Sequence, residues 1–237
     1  MLVSALSIIE SNEWWIRIWD FPRAQEHYQR SVELAAIPER EPPPHAFVLM
    51  RLGRRDEAVA AARKAAELQP DWPGSYNNLG SILSYTGDYS GAIQAFTAAQ
   101  ALAPSNPNAQ LGLANTYLYM GKGAEAVQAA ERVRERLPEE PSVLGTLGSA
   151  YALAGRRADA ERILAQLQAL PGATRYAQAS VHASLGNADR AFALLAEAVE
   201  QRESSAPDLG IDPVFTRYRA DPRMAPLLQR IGLPAAK

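Results

Sequence analysis

The sequence predicts an all-α solenoid, a row of helical hairpins packed side by side with no β-sheet. Three observations lead there. The spacing within 76–104, YNNLGSILSYTGDYSGAIQAFTAAQALAP, returns every 34 residues: Gly87 has counterparts at Gly53, Gly121 and Gly155, Ala92 at Ala24, Ala58, Ala126 and Ala160, and Pro104 at Pro70 and Pro138. Inside that unit, apolar and small residues recur with helical spacing in two successive runs. Glycine and proline stand at the ends of those runs, where helices stop, rather than within them.

Each position in the unit has a physical reason. Leu79, Gly80 and Leu83 form one stripe on a first helix, and the small residue lets a second helix approach closely. Gly87 ends that helix, because a left-handed residue with a side chain would cost roughly 1–2 kcal/mol. Asp88 then caps a second helix, on which Ala92, Phe96 and Ala99 share one face, and Pro104 prevents that helix from continuing. A single hairpin of this kind cannot bury both apolar faces, so the copies must stack.

A 34-residue period with L-G-x-x-L/Y, then G, A-x-x-x-F and P resembles the tetratricopeptide repeat, TPR. The resemblance covers nearly the whole chain. It implies a right-handed superhelix of about five to six hairpins followed by C-terminal capping helices. The expected organisation is a solenoid over 1–203, with repeats near 5–38, 39–72, 73–106, 107–140, 141–171 and 172–203, and a cap over 204–237 containing two short helices.

The repeats differ in quality along the chain. The first keeps the register but not the motif: Ile8 and Trp15 fall on its first helix, Ala24, Tyr28 and Ser31 on its second, and Trp19 takes the glycine position. Trp14, Trp15 and Trp19 are expected to plug the end of the stack; the alternative is an aromatic cluster for a partner, and dimerisation through this end follows if Trp14 and Trp15 face solvent. In the second repeat, Glu41-Pro42-Pro43-Pro44 shortens the first helix to about Pro44–Leu52, and Ala58, Ala62, Ala65 and Leu68 are expected on one face of a second helix over 56–68. The third and fourth repeats are the most regular. The fifth starts at Pro141 and closes one residue early at Pro171; three residues are then lost, since Gly186 lies 31 beyond Gly155. The sixth is expected to pair helices near 173–185 and 188–201.

After the break at 203–207 comes DLGIDPVFTRYRADPRMAPLLQRIGLP, a different motif. Asp212-Pro213 and Asp221-Pro222 each place an N-cap before a proline suited to the first helical position, which predicts two short helices covering the end of the stack through Val214, Phe215 and Tyr218, then Met224, Leu227, Leu228 and Ile231. This tail resembles the C-terminal end of TPR segments in bacterial multidomain signalling proteins, where a winged-helix, nucleotide cyclase or serine/threonine kinase domain precedes the repeats. The Ser-Ser-Ala-Pro-Asp-Leu stretch replaces an aromatic-bearing segment, and no residues of those effector domains occur in this sequence.

Composition limits the functional classes. The absence of cysteine removes disulfides and thiolate chemistry and suits a reducing cytoplasm, the expected location. A net charge of −2 gives no basic field for nucleic acid, and the apolar run LVSALSII is too short to cross a bilayer and lacks a secretory n-region. His27, His45 and His182 have no second ligand at metal spacing, and no phosphate-binding or nucleophile-elbow motif is present. No catalytic residue, metal or cofactor is expected.

The family resemblance places the functional surface in the concave groove lined by the first helix of each hairpin. On this chain those positions are Asn77, Ser81, Ser84 and Tyr85; Asn108, Leu111, Asn115, Leu118 and Tyr119; and Ser142, Gly145, Ser149 and Ala152. Asparagine can hold the backbone of an extended peptide and tyrosine supplies rigid contact area; equally, these asparagines serve solubility and local hydrogen bonding. TPR clamps for acidic chaperone tails use Lys and Arg at such positions, and the three most regular repeats have none here. The expected role is therefore a non-catalytic scaffold for a neutral or apolar protein segment; the alternative is a regulatory or sensory module working with a separate effector.

Overall fold

The computed structural model describes residues 19–23, 25, 26 and 44–233. Among them five helical hairpins follow one another and no strand occurs. α1 (Pro44–Arg51) pairs with α2 (Arg55–Leu68), α3 (Pro73–Thr86) with α4 (Tyr89–Leu102), α5 (Pro107–Tyr119) with α6 (Gly123–Arg134), α7 (Pro141–Leu153) with α8 (Arg157–Ala169), and α9 (Arg175–Ser184) with α10 (Ala188–Glu200). Two 3-10 helices, Ala206–Gly210 and Pro213–Tyr218, lead into α11 (Met224–Ile231).

Local chemistry sets the ends of these helices. Proline opens α3, α5 and α7, where a missing N–H costs nothing. The periodic glycines Gly53, Gly87, Gly121 and Gly155 have φ of 77°, 89°, 76° and 74°, the left-handed turn that reverses the chain into the second helix. Asp88 caps α4 by accepting the Gly91 N–H at 3.0 Å. Trp19 occupies the same register position, one period before Gly53, and also takes a left-handed φ, 58°.

Packing follows the small residues. Ala92, Ala126 and Ala160 are fully buried, as the hairpin stripe requires. Phe96 of α4 fills the space between α3 and α5. A Cβ on Gly80 would come within 2.8 Å of its ring, and one on Gly112 within 2.2 Å, so both glycines are needed for that approach. Gly148 repeats the device against Val181, at 2.7 Å.

Three local expectations are corrected. The buried face of α2 is Ala58, Ala62 and Ala66, spaced strictly by one helical turn, whereas Leu68 at the helix end is 40% exposed. The segment after Asp212-Pro213 is a 3-10 helix, with Asp212 capping it through the Val214 N–H at 2.9 Å. Asp221 instead accepts the Arg223 N–H at 3.0 Å in a turn, and α11 begins only at Met224. A further 3-10 helix fills 206–210, where the sequence suggests only a break.

The C-terminal part does more than cover the last hairpin. Trp19 and Phe21 share one apolar cluster with Phe192, Leu195, Phe215, Met224 and Leu228, and Val48 of α1 joins it. The Arg202 guanidinium lies 5.6 Å from the centre of the Trp19 ring. Residues near both ends of the chain thus share a core. Trp14 and Trp15, and the rest of the expected first hairpin apart from 19–23, 25 and 26, lie outside the described residues.

Candidate binding groove

The first helices α1, α3, α5, α7 and α9 contact one another in sequence and form the inner row of the stack. Each turns one side to its neighbours and the other to the trough. The C-terminal segment crosses this row. Asp208 reaches Arg51 of α1 at 2.5 Å, and Ile211 enters the apolar cluster of Leu49, Met50, Ala58 and Ile82. Asp212 accepts the hydroxyl of Tyr176 in α9 at 3.0 Å. Tyr218 donates its hydroxyl to the Ala183 carbonyl at 2.8 Å, and the Arg217 guanidinium donates to the same oxygen. The trough is therefore bridged from α9 back to α1 by residues 206–218.

A cavity of about 480 Å³ remains beneath this bridge. It is lined by parts of α3, α5, α7 and α9 and by the bridge itself. Tyr85, Asn115, Leu118, Tyr119 and Ser149, all expected in the groove, line it, as do Ser142 and Gly145. Tyr85 and Tyr119 stand with ring centres 6.0 Å apart, and Phe47 meets Tyr85 edge-on at 6.5 Å. Thr146 donates its hydroxyl to the Asn115 side-chain oxygen at 2.9 Å, which orients that amide.

Other expected groove residues do not line this cavity. Ser84 is buried and shares a 2.7 Å hydrogen bond with the Thr116 hydroxyl, so it ties α3 to α5 instead of facing the trough. Ser81 donates to the carbonyl of Asn77 at 3.0 Å within its own helix. Asn77 and Leu111 are half-buried and do not line the cavity, and Asn108 is exposed at the start of α5. Ser149 is buried, but it does line the cavity.

Sequence reasoning misses Tyr176, Asp208 and Asp212 as cavity residues. The pattern D-L-G-I-D-P reads as a capping motif, but nothing in it indicates which helices it touches. Burial governs the electrostatics here. It pushes the phenols of Tyr85, Tyr119 and Tyr176 well up, and it raises Asp212 to about 6 despite the Val214 N–H and the Tyr176 hydroxyl that favour its ionised form. His182 is half-buried, with Nδ1 3.4 Å from the Asn187 amide, and burial lowers its pKa. Among the described residues no group of three His, Asp or Glu side chains is placed to hold a metal, and no helix is long and apolar enough to cross a membrane.

Stacked hairpins with an inner trough define a helical-repeat interaction scaffold. Residues 45–107 and 85–144 each match a family model described as tetratricopeptide repeat, so residues 45–144 are tetratricopeptide repeats. Three solved structures show the same fold. A thermophilic TPR protein of Thermus thermophilus is 27% identical, with 66% of this chain and 87% of that one covered and a TM-score of 0.55. PilW, a widely conserved type IV pilus biogenesis factor, is 19% identical, with 96% and 99% covered and a TM-score of 0.62. A tetratricopeptide repeat protein from Parabacteroides merdae is 15% identical, with 98% and 93% covered and a TM-score of 0.55. No curated protein sequence matches the chain. Proteins of this family are generally non-catalytic scaffolds for other proteins, and that general role is the one the fold and family support.

Proposed function

We propose that the chain is a cytoplasmic, non-catalytic adaptor that holds a neutral or apolar segment of a partner protein in its concave groove. The observation that carries this reading is the chemistry of the trough: phenols, hydroxyls, the Asn115 amide and the carboxylates of Glu140, Asp208 and Asp212 line the cavity, with no Lys, Arg or His among its described lining residues. An acidic segment entering there finds no cation for a charge-assisted hydrogen bond, and it approaches Asp208 and Asp212. Extended neutral backbone, by contrast, suits the Asn115 amide and the tyrosine faces. A blocked-peptide library titrated against the full chain tests this. Binding of neutral and apolar sequences is expected, and tight binding of an acidic EEVD-like tail would overturn it.

The bridging segment favours a second reading, a regulatory module acting with a separate cyclase, kinase or winged-helix regulator. Residues 206–218 lie where a ligand would otherwise lie, so access to the trough is limited by the protein's own chain. A neighbouring effector gene and co-purification with its product support this reading; a partner that binds the isolated chain directly and has no effector activity counts against it. Self-association through Trp14 and Trp15 remains part of the proposal, and a monomer in light scattering at high concentration would remove it.

A further inference from the structure

The cavity beneath the bridge combines three features that one chemical group answers. The first is a buried carboxylate facing neutral donors: Asp212 is 9% exposed, and it receives the Val214 N–H at 2.9 Å and the Tyr176 hydroxyl at 3.0 Å. The other aspartate at the cavity, Asp208, already pairs with Arg51 at 2.5 Å, and no Lys, Arg or His is among the described lining residues. A carboxylate removed from water without a counter-ion is unfavourable, so the site has a deficit of positive charge.

The second feature is Ser149. It is 1% exposed, it lines the cavity, and its Oγ has no hydrogen-bond partner. Buried hydroxyls are ordinarily paired, so this one offers an acceptor to an incoming donor. The third is the set of rings of Tyr85, Tyr119 and Tyr176 around the cavity, whose faces attract cations. A primary ammonium supplies three donors, no acceptor and one positive charge.

We propose that this cavity receives a primary ammonium group, the side chain of a lysine on the otherwise neutral segment held in the groove, with Asp212 as its counter-ion and Ser149 Oγ as a second acceptor. The proposal rests on the groove-binding reading above and adds to it the identity of one partner side chain. The alkyl stem of lysine lies along the tyrosine rings while its head reaches the carboxylate.

Calorimetric titration of the full chain with a blocked Ala-Gly-Lys-Gly-Ala peptide, its norleucine counterpart and butylammonium chloride tests it. The lysine peptide is expected to bind at least tenfold more tightly than the norleucine peptide. Ser149→Ala narrows that gap and Asp212→Asn closes it, with circular dichroism reporting whether each variant folds. Because the comparison of the two peptides is made on the unaltered protein, it decides the matter even if Asp212→Asn does not fold. Equal binding of the two peptides overturns the lysine site and leaves the groove reading intact. Saturable binding of butylammonium with neither peptide bound supports the ammonium pocket and overturns the groove reading. Failure of all three probes overturns both.

Discussion

The central hairpins and the C-terminal bridge are held together by different physics. Between α3 and α7, neighbouring helices approach through glycine and alanine, and Phe96 fills the space that Gly80 and Gly112 leave. Contacts there join helices of one hairpin or of adjacent hairpins, so the chemistry of one unit predicts the next. In the bridge, Asp208 pairs with Arg51 across 157 residues of sequence, and Asp212 accepts the Tyr176 hydroxyl of α9. Asp212 is buried and accepts from both Tyr176 and Val214, and Asp208 is half-buried against Arg51. The repeats therefore supply a scaffold built from local contacts, whereas the bridge crosses the trough and brings Asp208 and Asp212 to its cavity.

That difference can be tested by substitutions on each side. The largest effect is expected from Phe96→Ala: the side chain is 1% exposed and fills the gap between two hairpins, so its loss should cost about 3–5 kcal/mol in urea unfolding. Next comes the pH dependence set by Asp212. Burial raises its pKa from 3.8 to about 6, so the folded protein holds this proton more tightly than the unfolded chain does. The stabilising contribution is complete below about 3.8 and is lost as pH rises through about 6, up to roughly 3 kcal/mol. Asp212→Asn should flatten that part of the stability curve.

Arg51→Ala should cost about 1–3 kcal/mol, less than a fully buried pair because the Asp208 side chain is 27% exposed. It should also loosen the bridge, read as faster amide exchange at 206–212. The smallest effect belongs to the repeat's own punctuation. Asp88→Ala removes the cap that accepts the Gly91 N–H and should cost about 1 kcal/mol, with exchange rising only in the first turn of α4. Comparable exchange changes across the whole chain for Asp88→Ala would contradict the local nature of the repeat contacts.

The scaffold was legible in the sequence because each of its determinants is local or one period away. Gly53, Gly87, Gly121 and Gly155 mark turns by their own backbone preference, and Trp19 falls into the same conformation because the register is kept where the residue is not. Part of the cavity lining coincides with positions the repeat places on first helices, Tyr85, Asn115, Tyr119 and Ser149 among them. Ser84 was misplaced because one turn of helix separates a trough-facing position from a neighbour-facing one, and its hydroxyl pairs with Thr116. Asp208, Asp212 and Tyr176 were hidden for a stronger reason. Their partners are set by how far the stack curves before the tail leaves it, a quantity that accumulates over all the repeats and is written in no single motif.

The bridged trough is tested most directly by methyl NOEs on the unmodified protein, because Ile211 sits in the cluster of Leu49, Met50 and Ile82 only if the tail spans the inner helices. Cross-peaks from the Ile211 methyls to methyls of that cluster are the predicted result. An Ile211 whose methyls show contacts only to residues near it in sequence would contradict the account.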